Sequence, residues 1–151
     1  MPTTISITAI ASISGLGNDS NVIWKNYLNN DHCFIETSVG SLNALIAPLN
    51  SDSKKQIQEL KKSDNKYKSL DSSVLFAIAI SRKAVEKAGW KKSDTFGINI
   101  GSSRGATELF EKHHLDFIQS GIVETLASPT TTMGNISSWV SHDLQSRGPE
   151  I

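Results

Sequence analysis

A chain of 151 residues with 15 Lys+Arg and 15 Asp+Glu carries no formal net charge. That balance excludes the basic excess of a nucleic-acid binder and the polyelectrolyte composition of a disordered chain, while 38% hydrophobic residues allow one buried core rather than two domains. A single cysteine excludes an intrachain disulfide, and with only four scattered histidines it argues against a structural zinc site.

Ile5, Ile7 and Ile10 sit in a β-branched stretch with polar alternation, which predicts a strand over 5–10. Gly15 and Gly17 break it. Asp19 or Ser20 can cap a helix whose apolar face holds Ile23, Trp24, Tyr27 and Leu28, and Asn29-Asn30-Asp31 stops that helix. Residues 34–37 suit a short strand, and 42–49 are apolar up to Pro48. Residues 51–68 are lysine-rich, with Lys54, Lys55, Lys61, Lys62, Lys66 and Lys68. They read first as a solvated surface segment and second as a contact surface for an acidic partner.

Ser69 or Asp71 caps the strongest predicted helix, over 72–88. Its first half, 74–80, is the longest apolar run and predicts burial on every side. That run is far shorter than the about 18 residues of a membrane span. Arg82, Lys83, Glu86 and Lys87 then face outward, and Gly89 ends the helix in the left-handed region. A second strand is predicted over 95–100, a small-residue turn over 101–105 and a helix over 106–118. After a loop, 133–145 predicts a last helix on Ile136, Trp139, Val140 and Leu144, ended by Gly148-Pro149 before Glu150-Ile151 start a further element. Alternating strands and helices predict an α/β layer fold with parallel pairing. The start Met1-Pro2-Thr3-Thr4 lacks the basic region of a signal peptide, so a soluble, cytoplasmic protein is expected.

Gly101-Ser102-Ser103-Arg104-Gly105 satisfies G-x-S-x-G between a predicted strand and helix, the setting of a hydrolase nucleophile elbow. Ser103 would be the nucleophile, with Asp116 or Glu124 and then His142 in triad order. The plainer reading is a strand-to-helix turn whose glycines allow close approach. The same turn offers a weak phosphate site at a helix N-terminus. His113 and His114 point about 100° apart on a helix, so they suit one buried and one exposed histidine better than a metal clamp. His142 reads as a surface group. Nothing near Cys33 would lower a thiol pKa, and Trp24, Trp90 and Trp139 read as core or interface anchors.

Several segments together resemble the N-terminal half of a β-ketoacyl-[acyl-carrier-protein] synthase of the thiolase-like superfamily. They are Gly15-Leu16-Gly17 with the following Trp24–Leu28 helix, Leu70-Asp71-Ser72-Ser73 with the long apolar helix ending Glu86-Lys87-Ala88-Gly89-Trp90, and Phe96-Gly97-Ile98-Asn99-Ile100-Gly101-Ser102. Ser128-Pro129, Asn135 and Arg147-Gly148-Pro149 complete the set. Order and spacing carry the likeness across nearly the whole chain, and residues 32–68 match least.

The resemblance implies an α/β, thiolase-like N-terminal half: a mixed, mainly parallel sheet with packed helices, cut short before the nucleophile strand. Residues 1–151 would be part of one ketosynthase domain in a longer parent. The nucleophilic cysteine is then expected roughly six residues beyond Ile151, with two histidines and a lysine further on. Cys33, His113, His114 and His142 match none of these. The implied reaction is decarboxylative condensation of an acyl thioester with malonyl-carrier protein, in fatty acid, polyketide or polyene biosynthesis. An alternative is a non-catalytic ketosynthase-like partner subunit. The resemblance implies acyl carrier protein as partner, a homodimer or heterodimer, and no cofactor, metal, nucleic acid or membrane. Arg104 falls at the acyl-pocket gate, where a charge is costly beside a fatty chain. That points to a polar or short acyl group, an altered gate, or an arginine turned to solvent. Ser128, Pro129, Met133 and Asn135 fall near the pocket floor and dimer interface. In isolation the piece is expected to expose apolar surface around 74–80 and to self-associate or be unstable.

Overall fold

The computed structural model describes residues 4–30 and 32–151. Met1, Pro2 and Thr3 of the start and Asp31 of the predicted helix stop lie outside the described residues. In chain order the elements are α1 (Ser20–Leu28), β1 (Ile35–Val39), β2 (Leu42–Ile46), α2 (Ser51–Ser63), a 3-10 turn (Asn65–Tyr67), α3 (Ser72–Ala88), α4 (Thr107–Ser120), α5 (Ala127–Thr131) and α6 (Asn135–Leu144).

The centre is α3. Asp71 caps it by accepting from the Ser73 N–H at 2.8 Å, and Gly89 closes it at φ +70° in the left-handed region. Its apolar run packs against α6, α2 and the 3-10 turn. Val74, Leu75, Ile78, Val140 and Ile136 are all at most 4% exposed and are joined by Ile57, Leu60, Tyr67 and Leu70. Each aliphatic side chain buried this way contributes about 1.5–3 kcal/mol. The expectation of exposed apolar surface at 74–80 is therefore corrected. Helices of the same chain already cover Val74, Leu75 and Ile78, and the open apolar surface lies elsewhere.

Residues 51–68 are also more than a solvated segment. Asn50 caps α2 through the Ser53 N–H at 2.9 Å, and α2 turns Ser53, Ile57 and Leu60 inward while Lys54, Lys55 and Lys62 face water. Helical periodicity survives a lysine-rich composition because only one side in three needs to be apolar.

The predicted strand at 5–10 does not form among the described residues. The segment is unpaired, with Ile5 91% and Ile7 82% exposed. A strand needs a neighbour for its backbone groups, and alternation alone does not supply one. Lysines of α3 hold part of this region: Lys87 Nζ donates to the Ile10 carbonyl at 3.2 Å, and Lys83 donates to the Asn18 carbonyl.

The regular sheet is an antiparallel hairpin, β1 against β2, with Ile35 opposite Ile46 and Val39 opposite Leu42. Among the described residues parallel pairing occurs once, where the segment around Ile98 meets Glu150. There Ile98 N–H donates to the Pro149 carbonyl at 2.8 Å, Ile151 N–H to Ile98 at 2.9 Å, and Ile100 N–H to Ile151 at 3.1 Å. The predicted strand at 95–100 is thus present as a short pairing rather than a full ladder. The element expected at Glu150-Ile151 is its partner.

Candidate functional site

The features that bear on function gather around this parallel pair. Gly97 and Gly148 face each other across it. A Cβ on Gly148 would lie 2.7 Å from the Gly97 nitrogen and closer still to the Phe96 carbonyl, so only glycine lets the two backbones meet. Gly148 N–H donates to the Phe96 carbonyl at 3.1 Å, and the Ser146 hydroxyl donates to the same oxygen. On one side the chain leaves Ile100 into the turn at 101–105, and from there into α4.

That turn is internally satisfied. Ser102 Oγ accepts from the Gly105 N–H at 3.0 Å, and the Leu109 N–H is held by Asp71 Oδ2 at 3.0 Å. These donors are spent, which removes them from the phosphate site expected at this helix start. Ser103 is exposed, and among the described residues no histidine is hydrogen-bonded to it, so no triad geometry forms around it. Arg104 is exposed on the same turn. Gly105, at φ +65°, brings the turn close to Met133, whose sulfur would lie 3.8 Å from a Cβ there.

Pro129 and Asn135 meet directly. Asn135 is 8% exposed, and its Nδ2 donates to the Pro129 carbonyl at 2.9 Å. Both line a cavity of about 460 Å³ with Ser138, Trp139 and His142. Ser138 reaches Glu150 Oε1 at 3.4 Å, so this cavity borders the terminal strand. Ser128 is exposed on α5, and Met133 is 63% exposed, so the four predicted residues divide between the cavity (Pro129, Asn135) and the surface. Cys33 sits against Gly15: a Cβ on Gly15 would come 3.0 Å from its sulfur. His113 is 6% exposed and His114 exposed, as the helical angle requires. Among the described residues no group of three His, Cys, Asp or Glu is placed to hold a metal ion. No described helix is long and apolar enough to cross a membrane.

Two groupings were not visible in the sequence. Asp71 caps α3 with one oxygen and holds α4 with the other, at 3% exposure. Asp143 of α6, with its side chain 2% exposed, pairs with Arg82 of α3 through 2.8 Å and 2.7 Å contacts and accepts from the Tyr67 hydroxyl. Burial alone would raise the Asp143 pKa, but the hydrogen bonds from Arg82 and Tyr67 outweigh it and hold the carboxyl below its ordinary value. Burial, and then the bond to Asp143, push the Tyr67 phenol up. The partners lie 61 residues apart, beyond any local pattern.

The family described as "Beta-ketoacyl synthase, N-terminal domain" matches residues 3–151. The chain belongs to this family. Among solved structures it is similar to a β-ketoacyl synthase from Burkholderia phymatum STM815, at a TM-score of 0.70 and 18% identity over 94% of this chain. It is also similar to the ishigamide ketosynthase/chain length factor, at a TM-score of 0.72 and 14% identity over 96% of this chain. At these identities the likeness establishes the thiolase-like fold of the ketosynthase N-terminal domain. The chain spans 37% and 38% of the lengths of those two proteins. No curated protein matches it.

Proposed function

We propose that this ketosynthase N-terminal domain is the front of a longer condensing enzyme. In that enzyme a cysteine thiolate takes an acyl group from a carrier thioester, releasing the carrier thiol. Malonyl-carrier protein then loses carbon dioxide, and its carbanion attacks the acyl thioester, forming the new carbon–carbon bond and freeing the thiolate. Backbone N–H groups stabilise the oxyanion of each step.

One observation carries the reading. Residues 148–151 are already seated in parallel register on residues 96–100, with glycine on both sides of the contact. A strand laid there directs the following residues toward the turn at 101–105 and the cavity at Asn135. In this reading Arg104, Ser128, Pro129, Met133 and Asn135 shape the acyl pocket and the dimer contact. The exposed lysines of α2 face an acidic acyl carrier protein, the whole protein is a cytoplasmic homodimer or heterodimer, and the 151 residues alone turn over nothing.

A second reading is a ketosynthase-like partner subunit without the cysteine, favoured by the similarity to a ketosynthase/chain length factor. Reading the coding DNA downstream of codon 151 separates the two. The enzyme reading expects a cysteine in a small-residue turn within about ten codons, followed later by two histidines. The encoded protein, incubated with acyl-carrier thioester, should then gain one acyl mass on that cysteine. A continuing frame with the cysteine replaced assigns the partner subunit. A stop codon directly after Ile151 overturns both readings, and hydrolysis of a short p-nitrophenyl ester that is lost in Ser103→Ala would then restore the serine esterase.

A further inference from the structure

α4 has little of its own to hold it in place. Its N-cap residue, Ala106, makes no side-chain cap, and His113 is its one buried residue among those described. The start of α4 is held instead by the first residues of α3. Asp71 Oδ2 accepts from the Leu109 N–H at 3.0 Å, and the Ser72 hydroxyl donates to Glu108 Oε2 at 2.8 Å. The Ser73 hydroxyl lies between the two elements, 2.7 Å from Asp71 Oδ1 and 3.3 Å from the Gly105 carbonyl oxygen.

The turn before α4 ends on this support. Gly105 is tied on both sides: its N–H donates to Ser102 Oγ at 3.0 Å, and its carbonyl accepts from the Thr107 N–H at 3.0 Å. Gly105 and Ala106 are buried, while Ser103 and Arg104 are exposed. The turn therefore has a fixed base and an exposed two-residue tip, and the base stands on α3. That helix is firmly seated, because Val74 and Leu75 of its first turn are at most 1% exposed. Asp71 itself is buried with both oxygens committed, so it passes the position of α3 on to the turn.

We propose that Asp71, together with Ser73, is a positioning residue for acyl selection. It sets where the turn at 101–105 stands beside the strand pair of 96–100 and 148–151, and so which length of acyl chain is admitted. The proposal rests on the condensing-enzyme reading, in which that turn borders the acyl pocket. Asp71 and Ser73 act through Gly105 and Leu109 and not on the acyl group. A misplacement of about 1 Å by residues remote from the chemistry can cost on the order of 100-fold in rate.

The test uses the full-length protein as Asp71→Asn, Ser73→Ala and Ser73→Thr. An amide has one acceptor oxygen, so Asp71→Asn cannot cap α3 and hold Leu109 together. Ser73→Ala keeps the cap and loses only the hydroxyl, and it carries the test if Asp71→Asn does not fold. Amide hydrogen exchange at Gly105 and Leu109 reads the anchoring, and it should quicken about ten-fold, as for the loss of one hydrogen bond. Loading of butanoyl and dodecanoyl groups from carrier thioesters reads the selection. Asp71→Asn and Ser73→Ala should change the preference between the two chains about ten-fold, through KM rather than the maximal rate, and Ser73→Thr should restore it. A loss shared equally by both chains, in step with the melting temperature, overturns the proposal, because a merely structural role acts on the whole fold. So does unchanged exchange at Leu109. A wild-type protein that takes neither acyl group overturns the condensing-enzyme reading, and the proposal falls with it, while the exchange rates still report whether α3 anchors the turn.

Discussion

Asp71 is the residue on which the most local structure depends. One buried carboxylate satisfies the first turn of α3 and an orphan N–H of α4, so it sets the angle between two helices as well as capping one. Asp71→Ala should cost about 2–3 kcal/mol, more than a lone cap, because a second buried donor is left unpaired. Chemical denaturation should show this as a lower midpoint at unchanged slope. Asp143 gives a prediction of a different kind. Its folded pKa lies below the unfolded value, so the pair with Arg82 and Tyr67 contributes stability above the unfolded pKa of about 3.9 and loses it as pH falls through the folded value. Asp143→Asn should therefore destabilise the protein near neutral pH by about 1–3 kcal/mol. The difference from wild type should shrink below about pH 4, as thermal melts at stepped pH would show. An equal difference at every pH would place the effect in packing rather than in the charge.

Among the elements, the parallel pair decides how the domain presents its end. Two glycines allow 96–100 and 148–151 to touch, and the Ser146 hydroxyl and Gly148 N–H both anchor to Phe96. Gly148→Ala should push the strands apart at a cost of about 1–3 kcal/mol, the usual range for overpacking. Gly134→Ala is the control, since a Cβ there meets nothing within 4 Å. Amide hydrogen exchange at Ile98, Ile100 and Ile151 should quicken in the first variant only, because those N–H groups make the pairing. Gly148 was legible in the sequence as a helix terminator, and its close approach to Phe96 was not, since the two are far apart in the chain. The capped helices α1 and α3 were legible, and α2 with its Asn50 cap was not. Asp19, Asp71 and Gly89 occupy the predicted positions, and α6 buries the predicted Ile136 and Val140.

For the molecule as a whole, the notable feature is where apolar surface remains open. Ile5, Ile7 and Ile10 of the unpaired segment, Trp24 and Tyr27 of α1, Val39, Leu42 and Leu45 of the hairpin, and Phe110 and Phe117 of α4 are all more than half exposed. Trp24 and Tyr27 stack on each other at 5.9 Å instead of entering the core. Exposed apolar surface on this scale favours association. The 151 residues in isolation should therefore self-associate, and sedimentation velocity should show the mean mass rising with concentration. A monomer at every concentration, with a sharp reversible melt, would contradict this.

The sequence by itself determined α1, α3, α4 and α6, the caps at Asp19, Asp71 and Gly89, the burial of Val74, Leu75 and Ile78 within 74–80, and the family. These rest on periodicity, short-range hydrogen bonding and ordered motifs, which act within a few residues of each other. Only the tertiary structure decided which apolar faces are covered, which extended segments find a partner, and that Asp71, His113 and the Arg82–Asp143–Tyr67 group sit where they do. Burial and pairing belong to residues brought together from distant parts of the chain. A strand pattern at 5–10 or an apolar face on α1 states what a segment can do, and only the packed chain shows whether a neighbour is present to meet it.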